Sequence, residues 1–269
     1  MKPMDFKQIY NRLDIDTHDI EETTCEDCGE KAYKHTITYK NGRISERLEK
    51  PCACDLKRKA MQELQAKRLR EYDTYSVMID DYKNKMVRDY KPQNETQVRA
   101  REKVVEFLTH AKVAIEKGQG MVLSGTFGTG KTHLASAIRN ALSKEGYKVL
   151  FITLPDYLEK IKKGYGKNGA TDMRYIQESY KTQELAKSAD LLVLDDVGAN
   201  NMTAWAKEEL FKLVNARTGK STIVTSNYSL EAFSSDADLY RSFSRMSENS
   251  AVLFIKGDDM RRKGEFNYG

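Results

Sequence analysis

No stretch of this chain approaches the roughly 18 consecutive apolar residues that a membrane-spanning helix needs, so no membrane partner is expected. The opening Met-Lys-Pro-Met-Asp-Phe has no apolar core of the secretory type, which points to a cytoplasmic protein. Charge is nearly balanced: 45 Lys and Arg against 40 Asp and Glu leave +5, which permits contact with nucleic acid without arguing for it. Internal repeats and long low-complexity segments are absent as well. What remains is a soluble, heavily charged chain of 269 residues, 39% hydrophobic and 32% charged, with room for one large or two modest domains.

Cysteine is scarce and concentrated. The four residues Cys25, Cys28, Cys52 and Cys54 form a Cys-x-x-Cys knuckle and, after a spacer, a Cys-x-Cys. That is the layout of a four-thiolate zinc site. The spacer supports it: Thr36–Tyr39 alternates like a strand, Asn41-Gly42 is a tight-turn signal, and Arg43–Leu48 can return antiparallel. Such a hairpin carries the second pair back beside the first, as in a zinc ribbon. The alternatives are two disulfides, which a reducing cytoplasm disfavours, or unconnected thiols. His35 could replace one thiolate, but four already complete a tetrahedron, so a surface histidine is expected. With no ligand position left for a catalytic water, the zinc is structural and the module would display a surface to a partner. Residues 1–54 are assigned to it, with a short amphipathic helix around Phe6 to Leu13.

Residues 55–97 read as a basic helix and linker. Asp55 can cap a helix running to about residue 84, rich in Lys57, Arg58, Lys59, Lys67, Arg68 and Arg70. Its thin apolar stripe is Leu56, Ala60, Leu64 and Leu69. A solvated face and contact with nucleic acid or a partner both suit that charge. Lys91–Thr96 has the composition of a linker.

From residue 98 to 269 strands and helices alternate, which predicts an α/β domain with a parallel sheet covered by helices on both faces. Val98–Glu116 is helical, with Val104, Val105, Phe107, Leu108 and Ala111 as core candidates. Strand signals occupy residues 120–124, 148–153, 190–196, 221–226 and 251–255. Between the first strand and a helix at 133–142 lies Gly125-Thr126-Phe127-Gly128-Thr129-Gly130-Lys131-Thr132. This is a phosphate-binding loop: its glycines let backbone N–H groups wrap phosphates, Lys131 neutralises the outer ones, and the Thr132 hydroxyl can hold Mg²⁺. A nucleoside triphosphate is therefore expected to bind. Leu191–Leu194 would deliver Asp195 to the sheet edge for the Mg²⁺ shell, with Asp196 placed to polarise a water. Asn227, after the next strand, could orient water or touch the γ-phosphate. Arg241, Arg245, Arg261 and Arg262 are candidates for reaching a neighbouring subunit's γ-phosphate. Residues 156–188 interleave Lys160, Lys162, Lys163, Lys167, Arg174, Lys181 and Lys187 with Tyr157, Tyr165, Tyr175 and Tyr180. Both single-stranded DNA contact and an ordinary solvated helical insertion fit that mixture.

The order of these motifs over roughly residues 85–262 resembles the AAA+ ATPases, and more narrowly the DnaC/DnaI-type replicative-helicase loaders and their IstB-like relatives. The resemblance implies an AAA+ P-loop domain at 98–269 beside the small zinc-ribbon-like module, with ATP, Mg²⁺ and Zn²⁺ as cofactors. It implies Walker A roles for Lys131 and Thr132, Walker B roles for Asp195 and Asp196, and sensor 1 at Asn227. Arg245 would be the trans-acting finger with Arg241 as companion, and Arg261 the sensor 2 arginine. Implied partners are a replicative helicase hexamer, single-stranded DNA, and further copies of the chain through the ATPase domain. The competing expectation is a transposition helper acting with a transposase on double-stranded DNA. A small-molecule kinase leaves the cysteines, Asn227 and the late arginines without a purpose.

Overall fold

The computed structural model describes residues 13–165, 172–198 and 202–260. The helix expected around Phe6 to Leu13, along with Lys167, Arg261 and Arg262, lies outside them apart from Leu13 itself. The chain divides into two compact units, Met1–Ala66 and Lys67–Gly269.

The first unit is built on a three-stranded antiparallel sheet, β1 (Ile15–Thr24), β2 (Lys31–Tyr39) and β3 (Ile44–Glu49), with β2 central. The β2–β3 hairpin follows from its turn. Gly42 takes a φ of +80° that a side chain resists, and Asn41 Oδ1 accepts from Arg43 N at 3.0 Å. Strand β1 carries too few apolar residues to announce itself. It is held by the backbone ladder to β2 and by cross-strand pairs such as Lys31 with Glu22 at 2.8 Å.

Helix α1 (Cys54–Tyr75) follows, and the expected basic helix is corrected in two respects. Asp55 lies inside its first turn, accepting from Arg58, instead of capping it. The helix also stops at Tyr75, because the chain beyond it bonds to a sheet edge. Val77 N donates to Phe151 O at 2.8 Å and Phe151 N to Ser76 Oγ at 3.0 Å. The apolar stripe is solvent-facing, with Leu56 71% and Leu64 51% exposed.

The second unit holds a five-stranded parallel sheet of order β5-β6-β7-β4-β8: β4 (Gly120–Gly125), β5 (Val149–Thr153), β6 (Leu191–Val197), β7 (Ser221–Ser226) and β8 (Ser250–Ile255). One face packs on α2 (Glu95–Thr109), α3 (Ala111–Glu116) and α4 (Lys131–Lys144). The other packs on α5 (Leu154–Gly164), α6 (Met173–Ser188), α7 (Ala204–Ala216) and α9 (Ala237–Ser247), with the short α8 (Leu230–Ser234) before α9. The alternation is visible in the strands themselves: Met121, Leu123, Val193 and Ile223 face the first cluster, and Val122, Leu192, Leu194 and Val224 the second. Each such buried side chain contributes about 1.5–3 kcal/mol to the fold.

Two local expectations change. The helix predicted over 98–116 is interrupted at His110, and Val105 is 47% exposed instead of core. Nor is Lys91–Thr96 a free linker. Asn94 caps α2 by accepting from Gln97 N at 3.2 Å and donates to Lys256 O at 2.9 Å, while Tyr90 is buried in the α2–α4 core.

Candidate functional site

Three neighbouring strands, β4, β7 and β6, end on one edge of the sheet, and the candidate residues leave from those ends. Strand β4 runs into the glycine loop at Gly125, whose Cβ would lie 2.0 Å from Ile255 O, so only glycine fits there. Gly130, at φ +82°, is the N-cap of α4, and the open N-terminus of that 14-residue helix faces the loop. Lys131 is 7% exposed and folds over the loop, its Nζ donating to Gly125 O at 3.0 Å and Thr126 O at 2.6 Å.

Thr132 Oγ1 donates to Asp195 at 3.0 and 3.3 Å, and Thr225 Oγ1 donates to the same carboxylate. Asp195 is 5% exposed; burial raises its pKa, against the opposing pull of these two hydroxyls and of Lys131. Asp196 sits at φ +60°, a left-handed conformation that costs a non-glycine residue about 1–3 kcal/mol. The strain breaks the β6–β7 register between Leu194 and Val197 and turns the second carboxylate out of the strand. Asp196 N donates to Thr225 Oγ1 at 2.9 Å, and Asn227 Nδ2 donates to Asp196 Oδ1 at 3.3 Å. Lys131, Thr132, Asp195, Asp196 and Asn227 are thus one connected polar cluster beside an anion-binding loop. A hydroxyl and a carboxylate side by side suit a hard divalent cation such as Mg²⁺, and the loop suits a polyphosphate.

Several residues in this cluster are invisible to motif reading. Thr225 donates to the Asp195 carboxylate and accepts from the Asp196 backbone N–H, so it fixes both residues. Tyr90 donates to Thr129 O at 2.8 Å and lays its ring where a Cβ on Gly130 would come within 2.4 Å, so it braces the loop from outside. Burial pushes its phenol up to about 12, which keeps it a donor. His133, edge-on to that ring at 5.6 Å, donates Nε2 to Met86 O at 3.0 Å. Residues 256–260 strap the other side: Thr126 Oγ1 donates to Gly257 O at 3.0 Å and Met260 N to Gly128 O at 3.1 Å.

The arginines are elsewhere. Arg245 pairs with Glu248 at 3.3 Å and lines a cavity of about 140 Å³ with Gly118, Lys220 and Asn249, at the opposite edge of the sheet. It cannot serve the loop of its own chain. Arg241 covers the Phe211 ring at 4.4 Å, and Arg261 lies outside the described residues. In residues 156–188 Tyr157 is core, and Lys160, Lys163, Arg174 and Lys181 all pair with acids. Tyr165, Tyr175 and Tyr180 are 64%, 46% and 71% exposed.

In the first unit the donor atoms of Cys25, Cys28, Cys52 and Cys54 all lie within 4.8 Å of one another. A tetrahedral zinc with bonds of about 2.3 Å needs sulfurs about 3.8 Å apart, so the set fits the metal with little movement. The thiols already disagree electrostatically. The Cys54 N–H and the Cys25 thiol lower Cys52 to about 7, while Cys28 and Cys52 push Cys54 up to about 12. A divalent cation resolves that conflict. His35 is not a fifth donor: its Nδ1 faces His18 Nε2 at 2.9 Å on the sheet, half-buried instead of on the open surface.

Comparison with known proteins gives the same orientation. The family model described as IstB-like ATP binding protein matches residues 54–267. The replicative helicase loader DnaI of Bacillus subtilis is 33% identical over 98 residues, 36% of this chain and 29% of that protein. The insertion sequence IS21 putative ATP-binding protein of Pseudomonas aeruginosa is 30% identical over 156 residues, 55% of each chain. A crystal structure of the DnaC helicase loader superposes with a TM-score of 0.54 at 29% identity, covering 66% of this chain and all of that one. The chain spans less than half the length of the curated helicase loaders that it matches.

Proposed function

This chain belongs to the family of IstB-like ATP-binding proteins, and on that premise we propose that it hydrolyses ATP to load a ring-shaped replicative helicase onto single-stranded DNA. The observation that carries the reading is the connected cluster of Thr132, Asp195, Asp196 and Asn227 beside the phosphate loop. Likeness to helicase loaders supports the choice of target.

In this reading Lys131 leaves its two carbonyls to neutralise the outer phosphates. The backbone N–H groups of Thr129 to Thr132, at the head of α4, hold the inner ones. Thr132 and Asp195 are the ligands for Mg²⁺, which when bound supplies charge neutralisation on the phosphates. Asp196 accepts a proton from the attacking water, and Asn227, tethered to that carboxylate, orients the water. Arg245, remote from its own loop, reaches the nucleotide of an adjacent copy. The thiolates of Cys25, Cys28, Cys52 and Cys54 hold a structural zinc, and the module docks on the helicase. Exposed Tyr165, Tyr175 and Tyr180 give bases something to stack on. A second reading, a helper ATPase for a transposase on double-stranded DNA, is favoured by the longer match to the IS21 protein.

Fluorescence anisotropy of a labelled oligo-dT strand tests the proposal. Binding should require ATP with Mg²⁺ and weaken at least about tenfold between 50 and 200 mM salt. Binding indifferent to nucleotide, or preference for duplex, would sink the loader reading.

A further inference from the structure

We propose that Tyr228 is a positioning residue that ties the phosphate-facing end of the site to helix α9 through a ladder of three aromatic rings. The proposal rests on the roles just given to Asn227 and Arg245.

Tyr228 directly follows Asn227, and its backbone is fixed on both sides. Its N–H donates to Ser226 Oγ at 3.0 Å, and its carbonyl accepts from Ser124 Oγ, on the strand that feeds the phosphate loop. Its ring lies on Gly198, two residues beyond Asp196. A Cβ on Gly198 would come within 2.5 Å of that ring, so the close approach depends on glycine. One residue therefore touches the strand leading to the loop through its carbonyl, the segment bearing Asn227 through its N–H, and the turn after the two carboxylates through its ring.

From there the rings continue. Tyr228 meets Phe233 edge-on at 5.5 Å and 75°, and Phe233 stacks on Phe243 at 4.9 Å and 24°. Phe233 is fully buried, so it cannot yield sideways into solvent. Phe243 belongs to α9, two residues from both Arg241 and Arg245. At the start and along the outer side of α9, Lys207 pairs with the N-cap Asp236 and Arg241 covers Phe211, which hold the helix to α7. When Asn227 shifts toward a γ-phosphate, Tyr228 must shift with it, and close packing passes the displacement to Phe243. The ladder thereby makes the reach of Arg245 into the next copy depend on what the chain's own loop holds.

The test is ATP turnover per subunit as a function of protein concentration, read with the binding constant of a fluorescent ATP analogue. An arginine acting in trans makes turnover per subunit climb with concentration. Tyr228→Phe keeps the ring and should behave as wild type. Tyr228→Leu and Phe243→Leu should bind the analogue as wild type does, yet lose about tenfold of that climb, with the double variant no worse than either single one. Phe243→Met, whose flexible unbranched chain adapts to the space the ring leaves, replaces Phe243→Leu if the latter fails to fold, with the same expected loss. A full climb in the leucine and methionine variants, or analogue binding that weakens in step with turnover, overturns the ladder. If Arg245→Ala leaves the climb intact, the role of Arg245 falls instead. The ladder alone fails when Arg245→Ala abolishes the climb and the ring variants do not.

Discussion

Replacing Asp195 by Asn should make the nucleotide-free protein more stable while it stops turnover. Asp195 is 5% exposed and adjoins Asp196, so its charge is held against both desolvation and a like neighbour. The amide keeps the shape. Its oxygen still accepts from Thr225 and Thr132, and its NH₂ group can donate to Thr132 Oγ1, which lies 3.3 Å from the present Oδ2. No buried group is orphaned, so the gain should be about 1 kcal/mol, as for relief of a strained functional site. For a unit of this size that is about 2–4 °C in Tm. The sign with pH follows from burial. The folded-state pKa lies above the unfolded one, so the native protein holds this proton more tightly. That contribution to stability is complete below the ordinary carboxylate range and is lost as pH rises through the folded value. The advantage of Asp195→Asn is therefore full at pH 7.5 and shrinks towards pH 4. Differential scanning fluorimetry without nucleotide, Mg²⁺ or chelator measures it across that range. A variant less stable than wild type at pH 7.5, or a difference independent of pH, would refute the account of this carboxylate.

Lys131→Ala should weaken ATP binding by about 100-fold or more, measured by isothermal titration, because the outer phosphates lose their only loop ammonium. Cys25→Ser with Cys52→Ser should release bound zinc in a colorimetric chelator assay and abolish helicase capture while ATP affinity stays unchanged. Retention of capture without metal would contradict the docking role. Tyr90→Phe deletes the 2.8 Å bond to Thr129 O and should cost about 1 kcal/mol, with weaker ATP affinity than wild type.

Much of the ATPase fold is legible because buried parallel strands are short unbroken apolar runs. Leu191–Leu194 and Ser221–Ser226 could hardly be anything else once helices separate them. The gathering of Lys131, Thr132, Asp195, Asp196 and Asn227 is legible for a related reason, since parallel strands deliver their C-terminal residues to one edge. What escapes is set by partners distant in sequence. Strand β1 has no apolar alternation of its own and exists through its pairing to β2. The end of α1 at Tyr75 is decided by Phe151, seventy-odd residues away. Tyr90 lies in a stretch that reads as linker, and only the packing of the loop shows what its ring does. Sequence also has no means of showing that Arg245 is remote from its own loop.

The most direct test of the account is native mass spectrometry of this protein mixed with the replicative helicase of the cell in which it acts, with and without ATP. The account predicts a defined complex with the helicase hexamer whose stoichiometry changes with nucleotide. Absence of any complex under both conditions would contradict it and favour a transposase as the partner.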